Sequence, residues 1–173
     1  MIPLLQSSKT SIRMNPSLLH RSWTHEKGFL LSTDPTQIPL SDLNDLFSDM
    51  PWAKPLPEAE LQSLIHQSLC FAMYETHESS RKLIGISRWI SDFVTVAYLT
   101  DVYLLPPYRS CGLGKWMMSC VDEIFRSMEH FRGMILIVNR GSGEESLYRK
   151  YLGMEDLETP AILLDRKGHG SAS

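Results

Sequence analysis

Residues 108–115 read Tyr-Arg-Ser-Cys-Gly-Leu-Gly-Lys. They lie between an apolar, strand-like segment and a strongly periodic helix. An Arg-x-x-Gly-x-Gly turn in that position suits the wrapping of backbone N–H groups around a pyrophosphate. Glycine lets the main chain approach an anion with no Cβ in the way. The first turn of a helix carries unpaired N–H groups and a partial positive charge, so phosphate is favoured there. The main chain just before the helix can form an anion-binding concavity. Two other phosphate loops are excluded by spacing. A P-loop needs Gly-x-x-x-x-Gly-Lys-Ser/Thr, but Arg109 stands five residues before Gly114, and Trp116 follows Lys115. A dinucleotide fingerprint needs a further Gly or Ala three residues after the second Gly, where this chain has Met117.

The flanking elements must position that turn. Leu113, Trp116, Met117, Cys120, Val121, Ile124, Phe125 and Met128 fall on one face of a 3.6-residue period, which predicts an amphipathic helix. Upstream, the segment 98–109 is apolar and strand-like. Downstream, the apolar run 134–138 reads as a buried strand. A Gly-rich loop follows Asn139, then a helix over 142–151 that stops at Gly153. Nearer the start, strands are expected over 28–33, 68–74 and 83–90, and helices over 39–47 and 58–67. The polar stretch 75–80 has hairpin character, and 161–164 reads as a final strand. The order is β-α-α-β-β-β-α-β-α-β.

The turn at 109–114, the run Leu99-x-x-Val102-x-Leu104-x-Pro106-x-x-Arg109 before it, and Leu147-Tyr148 with Gly153-Met154 after it together resemble the GNAT (Gcn5-related) N-acetyltransferases, over roughly residues 28–166. The resemblance implies an α/β (α+β) acyl-CoA N-acyltransferase fold, with a mixed, mostly antiparallel sheet of six to seven strands and about four helices. It implies transfer of an acetyl group from acetyl-CoA to a small-molecule or peptide amine, directly, in a ternary complex. A non-catalytic CoA-binding regulatory module is the alternative. By position, the backbone of Val102, Tyr103 and Leu104 would pair with the pantetheine arm. Arg109, Ser110, Cys111, Gly112, Leu113, Gly114 and Lys115 would hold the pyrophosphate, and Asn139 would touch the cofactor.

Tyr148 aligns with the family's tyrosine general acid. One extra residue precedes Gly153, which makes Tyr151 a rival. Asp101 is the candidate base, with Glu75, Asp92 and Tyr98 also on or beside strands. Many family members need no dedicated base. The stiff loop 48–57, with Pro51, Pro55 and Pro57, brings Trp52 to the region that borders the acceptor in this family, and Tyr98 joins it there. Cys111 would share its site with the pyrophosphate and not act as nucleophile. Cys120 belongs to the core. Family members often dimerise, and nothing in the sequence decides whether this one does.

The chain has 173 residues, 43% hydrophobic, with a formal net charge of −3. That suits one domain with one core. No apolar run approaches membrane-spanning length, and mild acidity argues against a nucleic-acid partner. Three cysteines without metal-type spacing argue against a disulfide framework or a metal site and for a reduced, cytoplasmic setting. Residues 1–27 are expected as a flexible extension. Lys9, Arg13 and Arg21 without an acid in the first 25 residues also match a mitochondrial presequence. The polar tail 167–173 is expected to be disordered.

Overall fold

The structure, a computed structural model, describes residues 21–78 and 80–157. One six-stranded sheet runs in sequence order, built from β1 (Ser22–His25), β2 (Phe29–Ser32), β3 (Leu69–His77), β4 (Ser80–Ser91), β5 (Val96–Leu104) and β6 (Gly133–Ile135). The first five strands are mutually antiparallel, and β6 joins β5 in parallel. Four helices complete the domain: α1 (Leu40–Asp49), α2 (Glu58–His66), α3 (Leu113–Arg126) and α4 (Gly143–Leu152). The expected class, a mixed mostly antiparallel sheet with about four helices, is what is found.

Both sheet faces are buried, so the strands read as nearly continuous apolar runs. Leu31, Phe71, Met73, Ile84, Trp89 and Leu99 pack one face against Leu113, Met117, Val121 and Ile124 of α3 and Tyr148 of α4. Cys70, Ala72, Tyr74, Ile86 and Tyr103 pack the other against Leu43, Leu46 and Phe47 of α1 and Leu61 and Ile65 of α2. Burial pushes the Cys70 and Cys120 thiols up, to about 11 and about 12, which leaves both unreactive at neutral pH.

Four expectations need correction or fall outside the described residues. Residues 22–25, expected within a flexible extension over 1–27, form β1, and 1–20 lie outside the described residues. Trp23 stacks on Phe71 with ring centroids 6.3 Å apart. Its indole N–H donates to Glu123 of α3 at 2.8 Å, and Arg21 pairs with the same carboxylate at 3.2 Å. The strand expected over 134–138 pairs only as Gly133–Ile135. The expected strand at 161–164 and the tail at 167–173 lie outside the described residues.

Phe71 is fully buried between Trp23 and Trp89. Its replacement by alanine should cost about 3–5 kcal/mol and lower the melting temperature by roughly 10 °C for a domain of this size. Calorimetry showing a change of less than about 2 °C would contradict the packing of β1 onto this face.

Candidate active site

The β5–β6 pair has only three rungs: Val96 with Gly133, Ala97 with Met134, and Tyr98 with Ile135. β5 then runs on to Leu104, bonded to β4 alone. Among the described residues, its other edge has no strand partner from 99 to 104. Backbone donors and acceptors held in strand geometry seek partners, so this edge can take an extended ligand as an added strand. At about 3.3 Å per residue, the stretch from Tyr98 to Leu104 is roughly 20 Å long.

A bulge shapes the same stretch. Ile86 pairs with Tyr103 but Arg88 pairs with Thr100, so β5 carries one extra residue, and Asp101 adopts φ +50°. The extra residue changes the phase of the side chains. Ala97 and Leu99 point to the α3 face, while Tyr103 points to the α1–α2 face. Opposite the end of β5, a Cβ on Gly85 would lie 2.4 Å from Leu104 Cδ2 and 2.7 Å from the Tyr103 carbonyl oxygen. Only glycine lets β4 approach β5 that closely.

Past Leu104 the chain makes a 3-10 turn, Pro106–Tyr108, and enters the glycine loop. Tyr108 donates its hydroxyl to Glu75 Oε2 at 2.6 Å. That bond holds the Glu75 carboxyl below its usual range and raises the Tyr108 phenol to about 12. Glu75, considered above as a base, is therefore the loop's anchor. Arg109 donates Nε to the Leu104 carbonyl at 2.9 Å and lays its guanidinium 5.0 Å from the Tyr103 ring centre. Ser110 and Gly112 adopt φ +65° and +92°. The Cys111 thiol is exposed and donates to the Tyr108 carbonyl at 2.9 Å.

Gly112 is the N-cap of α3, and no side chain caps it. The first-turn N–H groups, from Leu113 through Lys115, are therefore left without a capping side chain. A Cβ at Gly112 would meet nothing within 4 Å, so the backbone alone requires glycine there. Gly114 differs: an added Cβ would make ordinary contacts of 3.7 Å to Leu147 and 3.9 Å to Leu104. The protein's own packing tolerates a methyl group at 114.

On α4, the Ser142 hydroxyl caps the helix by accepting from Glu145 N–H at 3.1 Å, and the Glu145 carboxylate accepts from Gly141 N–H. Gly153 closes the helix with φ +62°. Tyr148 is buried at 7% exposure, and its hydroxyl has no hydrogen-bond partner among the described residues. Desolvation, then the nearby Glu144 charge, push the phenol up to about 12, so it stays protonated at neutral pH. Tyr151, one turn on, is half-buried beneath Lys150. Asn139 is exposed, and its carbonyl accepts from Ser142 N–H at 3.2 Å.

Arg88 was not identified from sequence. Its Nη2 and Nε sit 2.7 and 2.8 Å from Asp101 Oδ2, with the two side chains 15% and 11% exposed. Asp101 Oδ1 has only a 3.5 Å contact with the Thr100 hydroxyl. Asp92 is a turn former. Its Oδ1 accepts from Val94, Thr95 and Val96 N–H, and Oδ2 accepts from the Thr95 hydroxyl, which holds the carboxyl far below its usual range.

Trp52 is half exposed and meets the Tyr103 ring edge-on at 6.1 Å. The loop that carries it is clamped by Asn44, which bonds both the N–H and the carbonyl of Leu56. Tyr98 lies between Ile90 and Ile135 on neighbouring strands. Among the described residues, no group of three or more His, Cys, Asp or Glu could hold a metal.

The model of the acetyltransferase (GNAT) family matches residues 39–154. A Gibberella zeae protein is 33% identical over 79% of this chain and 84% of its own. A Xanthomonas campestris pv. campestris GNAT protein of known crystal structure is 31% identical, with a TM-score of 0.66 over 84% of this chain and 96% of its own. Both carry the name "putative acetyltransferase". Glucosamine-6-phosphate N-acetyltransferase of Arabidopsis thaliana shares the fold at 15% identity, with a TM-score of 0.55 over 80% of this chain and 97% of its own. This chain belongs to the GNAT acetyltransferase family, and its enzyme class is acyl transfer.

The Asp92 turn makes a pH-dependent prediction. A carboxyl depressed in the folded state contributes stability above its unfolded pKa of about 3.9 and loses it as pH falls further. Asp92→Asn should therefore melt below the parent at pH 7, with the gap closing as pH drops below about 4. An equal gap at both pH values would refute the carboxylate's role in the turn.

Proposed function

We propose that the chain is an acetyl-CoA-dependent N-acetyltransferase that passes the acetyl group directly to an amine within a ternary complex. One observation carries this reading: the open edge of β5 ends at an uncapped, glycine-flanked helix N-terminus. The two features match the two halves of one ligand, an amide-bearing arm and a pyrophosphate. The pyrophosphate would sit on the N–H groups of 110–115 with Arg109 beside it. The arm would pair with Val102, Tyr103 and Leu104. A glycine at 114 that packing does not require fits close approach of this anion.

The thioester would then lie toward the Tyr98 end of the open edge, near the bulge. The neutral amine attacks the carbonyl, and a backbone N–H of β5 stabilises the oxyanion. The carbon–sulfur bond breaks, and Tyr148 gives its proton to the departing thiolate. Burial suits it to that role, because it stays a proton donor through the neutral range. Asp101 Oδ1, free of Arg88, can take a hydrogen bond from the attacking amine.

Melting temperature should rise by several degrees with acetyl-CoA or CoA at about 100 times the dissociation constant, and not with ATP. No rise with either CoA species would sink the proposal. Gly114→Ala should fold normally and bind CoA at least tenfold more weakly, read by calorimetric titration; unchanged affinity would remove the pyrophosphate from this turn. Tyr148→Phe should lower kcat by roughly 10²-fold with CoA affinity unchanged. The parent's kcat/KM should climb as the acceptor amine deprotonates, with no falling limb below about pH 10, given the raised phenol pKa. If the protein were a non-catalytic CoA-binding module, neither kinetic effect would exist.

A further inference from the structure

On the α1–α2 side of the sheet, three strands align one residue each: Ile90 faces Tyr98, and Tyr98 faces Ile135. Directly opposed residues present their side chains on the same face. Ile90 is 46% exposed and Ile135 60%, and Ile137, two residues on, is 67% exposed. The row crosses the sheet at the last rung of the β5–β6 pair, where the open edge begins. It also continues into a groove of about 370 Å³ bordered by Glu60, Leu64, Gln67, Arg88 and Ile90. Arg88 lies two residues before Ile90 and so shares its face. Asp101, tied to Arg88 through Oδ2 only, stands three residues, or about 10 Å, from Tyr98 along β5.

Resting on the acetyltransferase reading, we propose that this shelf and Asp101 Oδ1 form the acceptor subsite. They select a primary amine whose nitrogen is attached to an aliphatic or aromatic body about 10 Å long. The amine N–H bonds Oδ1, while the body covers Ile90, Tyr98 and Ile135. Arg88, bonded to Oδ2, offsets the carboxylate's pull toward the ammonium form. In the transfer, the nitrogen–carbon bond forms and the carbon–sulfur bond breaks. The nitrogen's proton leaves toward Oδ1, and the thiolate is protonated by Tyr148. A sugar amine would leave the isoleucines wet, and a polycation would place its further charges on that apolar surface.

The test uses the whole chain with acetyl-CoA, thiol release as readout, and five acceptors: phenethylamine, hexylamine, a peptide with N-terminal leucine, glucosamine and spermidine. The apolar amines should show kcat/KM at least tenfold above the last two. Comparison of the peptide with the free amines separates a peptide acceptor from a small one. Ile90→Ser with Ile135→Ser, both at exposed positions, should erase the preference through KM and leave CoA affinity intact. Preference for glucosamine or spermidine, or a preference that survives the double variant, overturns the proposal.

Isoleucine methyl NMR of the CoA-bound protein provides a second arm. Ile90 and Ile135 should shift on addition of phenethylamine, and silent methyls overturn the subsite even if some amine is acetylated. Loss of the CoA-dependent melting rise would instead strike the donor reading, so the two failures are distinguishable.

Discussion

β5 loses its parallel partner after Tyr98, and the rest of the site depends on that loss. A buried strand normally satisfies both edges. Here one edge of six residues has no strand partner among the described residues, and at its end the Leu104 carbonyl accepts from Arg109 Nε. The bulge at Asp101 re-aims the backbone of the same stretch. Gly85 lets β4 hold the end of β5 closely enough to keep that backbone fixed while its other side stays open. The opening is therefore part of the sheet's own strand pairing and not of a loop.

Tyr103 ties the glycine turn to the loop between α1 and α2. Its ring is packed into the α1–α2 core, its hydroxyl donates to the Asp49 carbonyl at 3.3 Å, Trp52 meets its edge, and Arg109 lies over its face. One side chain thus contacts the loop between α1 and α2 and the arginine of the glycine turn. The turn is tied a second time by the Tyr108–Glu75 bond. Preorganisation of this kind keeps the donors in place before the ligand arrives, which lowers the ordering cost of binding.

Local chemistry was legible in the sequence, and long-range geometry was not. The glycine turn, the face of α3 and the caps of α4 are each written within a few residues, so the pattern at 109–115 and the stop at Gly153 could be found directly. β1 could not. Four residues carry too little pattern, and the strand is held by Phe71 and Glu123, 48 and 100 positions from Trp23. The apolar run 134–138 predicted a longer strand because pairing ends where β5 diverges, and that depends on the neighbour. The bulge left a readable trace: the inward residues shift from odd at Ala97 and Leu99 to even at Val102 and Leu104. The Arg88–Asp101 pair follows only once that shift fixes the register, and so it was missed.

Hydrogen exchange measured by mass spectrometry over 98–115, with and without acetyl-CoA and with ATP as control, tests the open edge most directly. The account predicts slowed exchange of both the strand segment 99–104 and the turn 110–115 with acetyl-CoA, and no slowing of 99–104 with ATP, which has phosphates but no amide arm. Slowed exchange in the turn alone, or no change in either segment with acetyl-CoA, would contradict the assignment of β5 as the donor's strand partner.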